Sequence, residues 1–180
     1  SNVSKRQATV NIEVDVENGT TTQGDYTISN ELFYEGKAVA KNTKKLSVQA
    51  NSTRKLTTTL KVNAPKLWSI DSPNLYQLKT TIHHNGKMVD ETNTTTGIRT
   101  FTFDPNKGFA LNGNPMKMKG VCLHHDAGVL GAAVPRDVWK RRLQTLKEIG
   151  CNAVRTSHNP QAPDLYDLGD ELGLLVRNEA

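Results

Sequence analysis

Cysteine is nearly absent. The 180-residue chain holds only Cys122 and Cys151. They fall on two neighbouring predicted strands, Cys122 near the top of one and Cys151 near the bottom of the next. That separation is too long for a disulfide, and both read as buried free thiols. No run is apolar and long enough to cross a membrane, and no secretory leader is recognisable. Ser1-Asn2 reads as an expression scar, so a removed leader stays open, and so does the choice between a secreted or periplasmic and a cytoplasmic location. Aromatics make up 6% of the chain. No base-stacking aromatic accompanies the densest basic run, Lys140-Arg141-Arg142, which therefore reads as the solvated face of a helix and not as a nucleic-acid patch. The formal net charge of +5 is modest and scattered. Neither a membrane nor a nucleic-acid partner is expected. The hydrophobic share of 36% is low for one compact α/β enzyme. It is also uneven, with Thr, Asn, Lys and Val early and Leu late. Two domains are expected, over residues 1–97 and 98–180.

The first part alternates. Val10, Ile12, Val14 and Val16 share one face, and Asn11, Glu13, Asp15 and Glu17 the other, which is the period of a half-buried strand. Similar runs follow at Tyr26–Tyr34, Ala38–Ala40, Lys45–Val48, Leu56–Val62, Leu75–His83 and Lys87–Thr94. Glu35-Gly36-Lys37 and Asn85-Gly86 are hairpin turns. About seven short strands with regular turns indicate an immunoglobulin-like β-sandwich. His83 and His84 are adjacent, point to opposite faces and cannot share one metal.

The second part changes pattern. Phe101 to Leu111 makes a hairpin, Asn112-Gly113 another turn, and Met116–Leu123 a strand ending in His124-His125-Asp126. Pro135 opens a helix whose apolar stripe is Val138, Trp139, Leu143, Leu146 and Ile149, and Gly150 stops it. Cys151 to Ser157 is a buried strand with a polar end, Arg155 to His158. A second helix runs from Pro163 to Gly173, with Leu165, Leu168 and Leu172 on one face. Leu174–Val176 is a third strand before Asn178 and Glu179. Apolar strands alternating with amphipathic helices mean a parallel sheet. All three strand ends then lie on one rim, so His124, His125, Asp126, Arg155, His158, Asn178 and Glu179 converge, as on the active face of a (β/α)8 barrel. Three strands do not close such a barrel. The sequence therefore reads as a sandwich followed by the first three β/α units of a truncated barrel, with edges left uncovered.

Several ordered motifs carry a resemblance. They are Leu67-Trp68-Ser69, Pro73-Asn74-Leu75-Tyr76, Gly97-Ile98-Arg99, Leu111-Asn112-Gly113-Asn114-Pro115 and Lys119-Gly120-Val121 leading to His124. Asn152 to Pro160, Leu165-Tyr166-Asp167, Asp170-Glu171-Leu172-Gly173-Leu174 and Glu179-Ala180 complete the set. Together they resemble glycoside hydrolase family 2, which includes β-galactosidases, β-glucuronidases and β-mannosidases. The resemblance implies retaining hydrolysis of β-glycosides with two glutamates, a nucleophile and an acid/base, on later barrel strands outside this chain. No catalytic residue is expected here, and the chain by itself is expected to be inactive. His124, Arg155 and His158 match positions that shape the sugar subsite and orient the catalytic carboxylates, and Asp126 matches less closely. Glu179 matches a third-strand glutamate that is neither catalytic one. The sequence departs from the pattern at His125, where an acid is common, at Gly169, where Cys is common, and at Asn178, where Asp is common.

The expected partner is a β-linked oligosaccharide or glycoside. A β-galactoside is favoured, with a β-glucuronide or β-mannoside as the alternative sugar. No cofactor is expected in this chain, while the parent enzyme is expected to be able to use a divalent or monovalent cation. Exposed barrel edges are compatible with a homo-oligomer. Two other readings stand beside this one. The first is a non-catalytic immunoglobulin-like module for carbohydrate binding or interaction. The second is a metal site at His124, His125, Asp126 and His158, which the opposite facing of adjacent strand residues disfavours. Taken singly, Arg155 could pair an acid for stability and His158 could cap a loop.

Overall fold

The computed structural model describes residues 3–179; Ser1, Asn2 and Ala180 lie outside them. The chain divides into two compact units. One holds the chain up to Lys66 together with Leu75–Ile98, and the other holds Leu67–Asn74 and the chain from Arg99 onward.

The first unit is the immunoglobulin-like sandwich. Its strands are β1 (Gln7–Asn18), β2 (Gly24–Tyr34), β3 (Lys37–Val48), β4 (Ser52–Asn63), β5 (Leu75–His84) and β6 (Lys87–Gly97). One sheet pairs β1 with β4, and the other has the order β3-β2-β5-β6, all antiparallel. Six long strands stand where the sequence predicts about seven, because Ala38–Ala40 and Lys45–Val48 are one continuous strand, β3. The polar residues Lys41 to Lys44 between them look like a loop in sequence, yet pair in register with β2. The alternation of β1 holds, with Ile12 and Val16 buried. Ile28, Leu32, Leu46, Val48, Leu60 and Val62 are buried with them. Asn85 and Gly86 both take positive φ, 50° and 75°, as a two-residue hairpin requires.

Buried among these apolar side chains is Asn30. Its Nδ2 donates to Asn42 Oδ1 at 3.1 Å and to Thr58 Oγ1 at 3.4 Å, and its Oδ1 accepts from Thr80 Oγ1 at 2.8 Å. The network joins β2, β3 and β5 to β4 of the opposite sheet, so the buried amide is satisfied. His83 and His84 are half-buried. The His84 ring lies 5.0 Å from that of Tyr26.

The second unit opens with a hairpin, β7 (Phe101–Asp104) and β8 (Gly108–Leu111), to which β9 (Asn114–Pro115) adds. Then come β10 (Gly120–His124), α1 (Arg136–Glu148), β11 (Ala153–Ser157), α2 (Pro163–Leu172) and β12 (Leu175–Arg177). The three strands form one parallel sheet in the order β10-β11-β12. The strand predicted from Met116 is shorter in the structure. Residues 116–119 carry no ladder and are held by Asn152, whose Nδ2 donates to Lys117 O at 3.0 Å and whose Oδ1 accepts from Lys119 N at 2.8 Å. Likewise β11 begins at Ala153 and not at Cys151.

Leu123, Val154, Trp139, Leu143, Leu165, Leu168 and Leu174 make the core between sheet and helices. Two expectations fail here. Ile149 is 71% exposed, because it ends α1 with non-helical dihedrals and no longer follows the stripe. Cys122 is exposed and Cys151 half-buried. Strand alternation turns Leu123 into the helix-side core and leaves Cys122 on the opposite face, which neither α1 nor α2 covers. That side of the unit also carries a hollow of about 560 Å³ whose apolar lining includes Phe101, Phe103, Phe109, Met118 and Leu175. Among the described residues no helix is long and apolar enough to cross a membrane.

Candidate functional site

The parallel register sets the site. Cys122 lies abreast of Arg155, and Arg155 abreast of Arg177. His124 pairs with Ser157 two steps further along, and Glu179 follows β12 by two residues. These positions alternate with Leu123, Val154 and Val176, whose packing against the helices fixes the strand faces. Polar side chains therefore project from the carboxyl ends on the helix-free side. The Ser157–His158 peptide is cis.

At the centre, Arg155 Nη2 donates to Glu179 Oε1 and forms an ion pair with it. His158 Nδ1 lies 3.1 Å from Glu179 Oε2. One carboxylate is thus shared between a guanidinium and an imidazole. The His124 ring meets that of His158 edge to face, with centroids 5.7 Å apart. Arg155 Nη1 also reaches Cys122 Sγ at 3.7 Å, while its Nε has no hydrogen-bond partner among the described residues. Hydrogen bonding to Arg155, more than the opposing desolvation, holds the Glu179 carboxyl below the usual glutamate range. The same bond raises the Arg155 guanidinium above its ordinary value.

The structure therefore brings together Arg155, His158 and Glu179, with His124 against His158. Asn178 stands beside them but is engaged elsewhere: its Oδ1 accepts from Thr156 Oγ1 at 3.0 Å and from the Tyr166 hydroxyl at 2.8 Å. Asp126 is exposed, and its main-chain oxygen accepts from Arg142 Nη1 at 2.8 Å. Sequence reasoning does not single out Thr156 and Tyr166 as site residues. The signal available is their place in motifs: Thr156 precedes Ser157-His158, and Tyr166 sits one turn into α2.

A charge-paired carboxylate beside one imidazole, with a second imidazole edge to face against the first, offers directional donors and acceptors suited to hydroxyl-bearing ligands. Among the described residues no group of three or more His, Cys, Asp or Glu is placed to hold a metal ion.

A family model described as Glycosyl hydrolases family 2 matches residues 1–99. A second, described as Glycosyl hydrolases family 2, TIM barrel domain, matches residues 105–180. Beta-galactosidase BoGH2A of Bacteroides ovatus is 44% identical over 100% of this chain, which covers 21% of that protein. A solved glycosyl hydrolase family 2 member from Bacteroides cellulosilyticus aligns with a TM-score of 0.95 at 35% identity, over 98% of this chain and 23% of its own. A calcium binding mutant of Bacteroides uniformis beta-glucuronidase 2 aligns with a TM-score of 0.88 at 31% identity, over 98% of this chain and 22% of its own. The chain spans about a fifth of the length of these relatives. With its sandwich, its parallel β/α segment and both family matches in order, the chain belongs to the glycosyl hydrolases family 2.

Proposed function

We propose that this chain is the sandwich and the opening barrel segment of a retaining β-glycoside hydrolase, with the two domains divided as residues 1–97 and 98–180. The rim formed by His124, Asp126, Arg155, His158 and Glu179, with Asn178 braced behind it, is one wall of its sugar site. The observation that carries this reading is the Arg155–Glu179–His158 cluster at the carboxyl ends of parallel strands, where (β/α)8 enzymes hold their substrates.

The roles follow from the chemistry. Arg155 keeps Glu179 ionised and oriented, so that the carboxylate accepts from sugar hydroxyls. His124 and His158 offer ring nitrogens to the same ligand. The two glutamates that do the covalent work come from outside this chain, one attacking the anomeric carbon and the other protonating the leaving oxygen. A terminal β-D-galactoside is the favoured substrate, supported by the 44% identity to a protein named beta-galactosidase. A β-glucuronide is the alternative, supported by the relative named beta-glucuronidase. The whole enzyme is able, in this reading, to use a divalent or monovalent cation, and no step is assigned to it.

The test is hydrolysis of 4-nitrophenyl β-D-galactoside, β-D-glucuronide and β-D-mannoside by the enzyme that carries this chain, with the first-formed anomer followed by proton NMR. Turnover of the galactoside with the β-anomer appearing first is the expected result. Preference for the glucuronide would reassign the sugar, and an α-anomer appearing first would overturn the mechanism.

A further inference from the structure

Two hydroxyls tie the end of β11 to the end of β12 and to α2. Thr156, fully buried, donates to Asn178 Oδ1 at 3.0 Å and accepts the Glu179 main-chain N–H at 2.9 Å. Tyr166 donates to the same Oδ1 at 2.8 Å and accepts the Gln161 N–H at 2.9 Å. The polarity of all four bonds is determined. A main-chain N–H can only donate, so each hydroxyl must accept from it. An amide oxygen can only accept, so each hydroxyl must spend its proton there. No member can rotate away without leaving a partner unpaired, and at buried Thr156 that carries a desolvation penalty.

The network sits on the helix side of the sheet, behind the rim. It grips Asn178 by its side chain and Glu179 by its main chain, the two residues whose backbone sets where the Glu179 carboxylate lies. It also fixes Gln161, in the loop that follows His158. Both partners of the shared carboxylate are thereby anchored to one frame: Arg155 precedes Thr156 on β11, and His158 starts the loop that Gln161 closes.

We propose that Thr156 and Tyr166 are positioning residues that, through Asn178 and the Glu179 main chain, aim the Glu179 carboxylate at Arg155 and His158 in the glycoside site. The sugar side of this role rests on the function proposed above, and the placement of Glu179 does not. Asn178 acts as the link between hydroxyls and carboxylate.

The experiment is a carboxyl carbon-13 NMR titration of Glu179 in the chain, for wild type, Thr156→Val, Thr156→Ser and Tyr166→Phe, with Arg155→Ala as the reference for complete loss of the pair. Glu179 is expected to titrate below the ordinary glutamate range in wild type and Thr156→Ser. It is expected to move up toward the Arg155→Ala position in Thr156→Val and Tyr166→Phe. A Glu179 titration that stays at the wild-type position in folded Thr156→Val and Tyr166→Phe overturns the proposal. If Thr156→Val does not fold, Tyr166→Phe decides alone, since it removes one hydroxyl and keeps the ring. In the enzyme that carries this chain, Tyr166→Phe is expected to lower kcat about ten- to a hundredfold with a smaller change in KM, the mark of a misplaced group. If the wild-type enzyme turns over no β-glycoside, the sugar reading falls while the titration still decides the positioning role.

Discussion

The indole Nε1 of Trp68 donates to the main-chain oxygen of Asp170 at 2.8 Å, joining residues 102 positions apart. The Trp68 oxygen accepts from Asn112 Nδ2 at 2.9 Å, and the Arg99 guanidinium lies 4.5 Å from the ring centroid. Lys147 Nζ donates to Ile70 O at 3.1 Å and to Leu172 O, placing a cation at the carboxyl end of α2, where the helix dipole favours it. At Gly173, in the left-handed conformation that ends α2, an added Cβ would stand 2.5 Å from Ile70 O. The segment Leu67–Asn74 is thus built into the second unit although it interrupts the sandwich in sequence.

Trp68→Ala is therefore expected to cost about 3–5 kcal/mol, the range for emptying a buried tryptophan site. Trp68→Phe keeps most of the packing but leaves the Asp170 carbonyl unpaired, for about 1–3 kcal/mol. Urea denaturation of the two variants measures both.

Much of this architecture was legible, and the reason is periodicity. Period-two alternation in β1 and helical spacing of Leu165, Leu168 and Leu172 reflect local geometry, so they survive in the sequence. The meeting of Arg155 with Glu179 was legible too, because parallel topology forces the strand ends together. What sequence did not show are long-range polar choices. Trp68 sits in a recognisable motif, but nothing local says its indole reaches α2. Cys122 looks buried because its strand is apolar, and only the register decides which face the helices cover. Asn30 lies between Ile28 and Leu32 on the inner face, where a polar residue gives no local sign of its partners.

Asn30→Ala is expected to destabilise the sandwich by about 1–3 kcal/mol, because it leaves the hydroxyls of buried Thr58 and half-buried Thr80 short of a partner. The comparison is Ser29→Ala, the neighbouring residue on the same strand, which removes only an exposed hydroxyl pair with Thr43. Chemical denaturation of the two variants is expected to show a far smaller change for Ser29→Ala.

Burial raises the Asp170 carboxyl above its usual range, against the Arg99 cation and with the Asp167 charge. The folded state therefore holds this proton more tightly than the unfolded chain, whose value is about 3.9. The stabilising contribution is present below that value and is lost as pH rises through the folded pKa. Asp170→Asn keeps the main-chain acceptor for Trp68 and removes a charge from the last turn of α2, where anions are disfavoured. The variant is expected to be more stable than wild type at neutral pH, with the advantage closing in acid. Thermal unfolding at about pH 7 and about pH 3.5, on either side of the titration, checks both signs.

Glu179 behaves in the opposite sense. Its carboxyl is lowered, first by the hydrogen bond from Arg155. Its contribution is present above the unfolded value, about 4.3, and is lost as pH falls through the folded pKa. The stability difference between wild type and Glu179→Gln is expected to be level at neutral pH and to shrink below about pH 4. A difference that grows in acid would contradict the Arg155–Glu179 pairing.

The Arg155–Glu179–His158 rim is tested most directly as a β-glycoside site by kcat/KM for 4-nitrophenyl β-D-galactoside in the enzyme that carries this chain, wild type against Arg155→Ala. A loss of about a hundredfold or more, with the fold intact by circular dichroism, is the predicted result. Unchanged kcat/KM in a folded Arg155→Ala enzyme would contradict it.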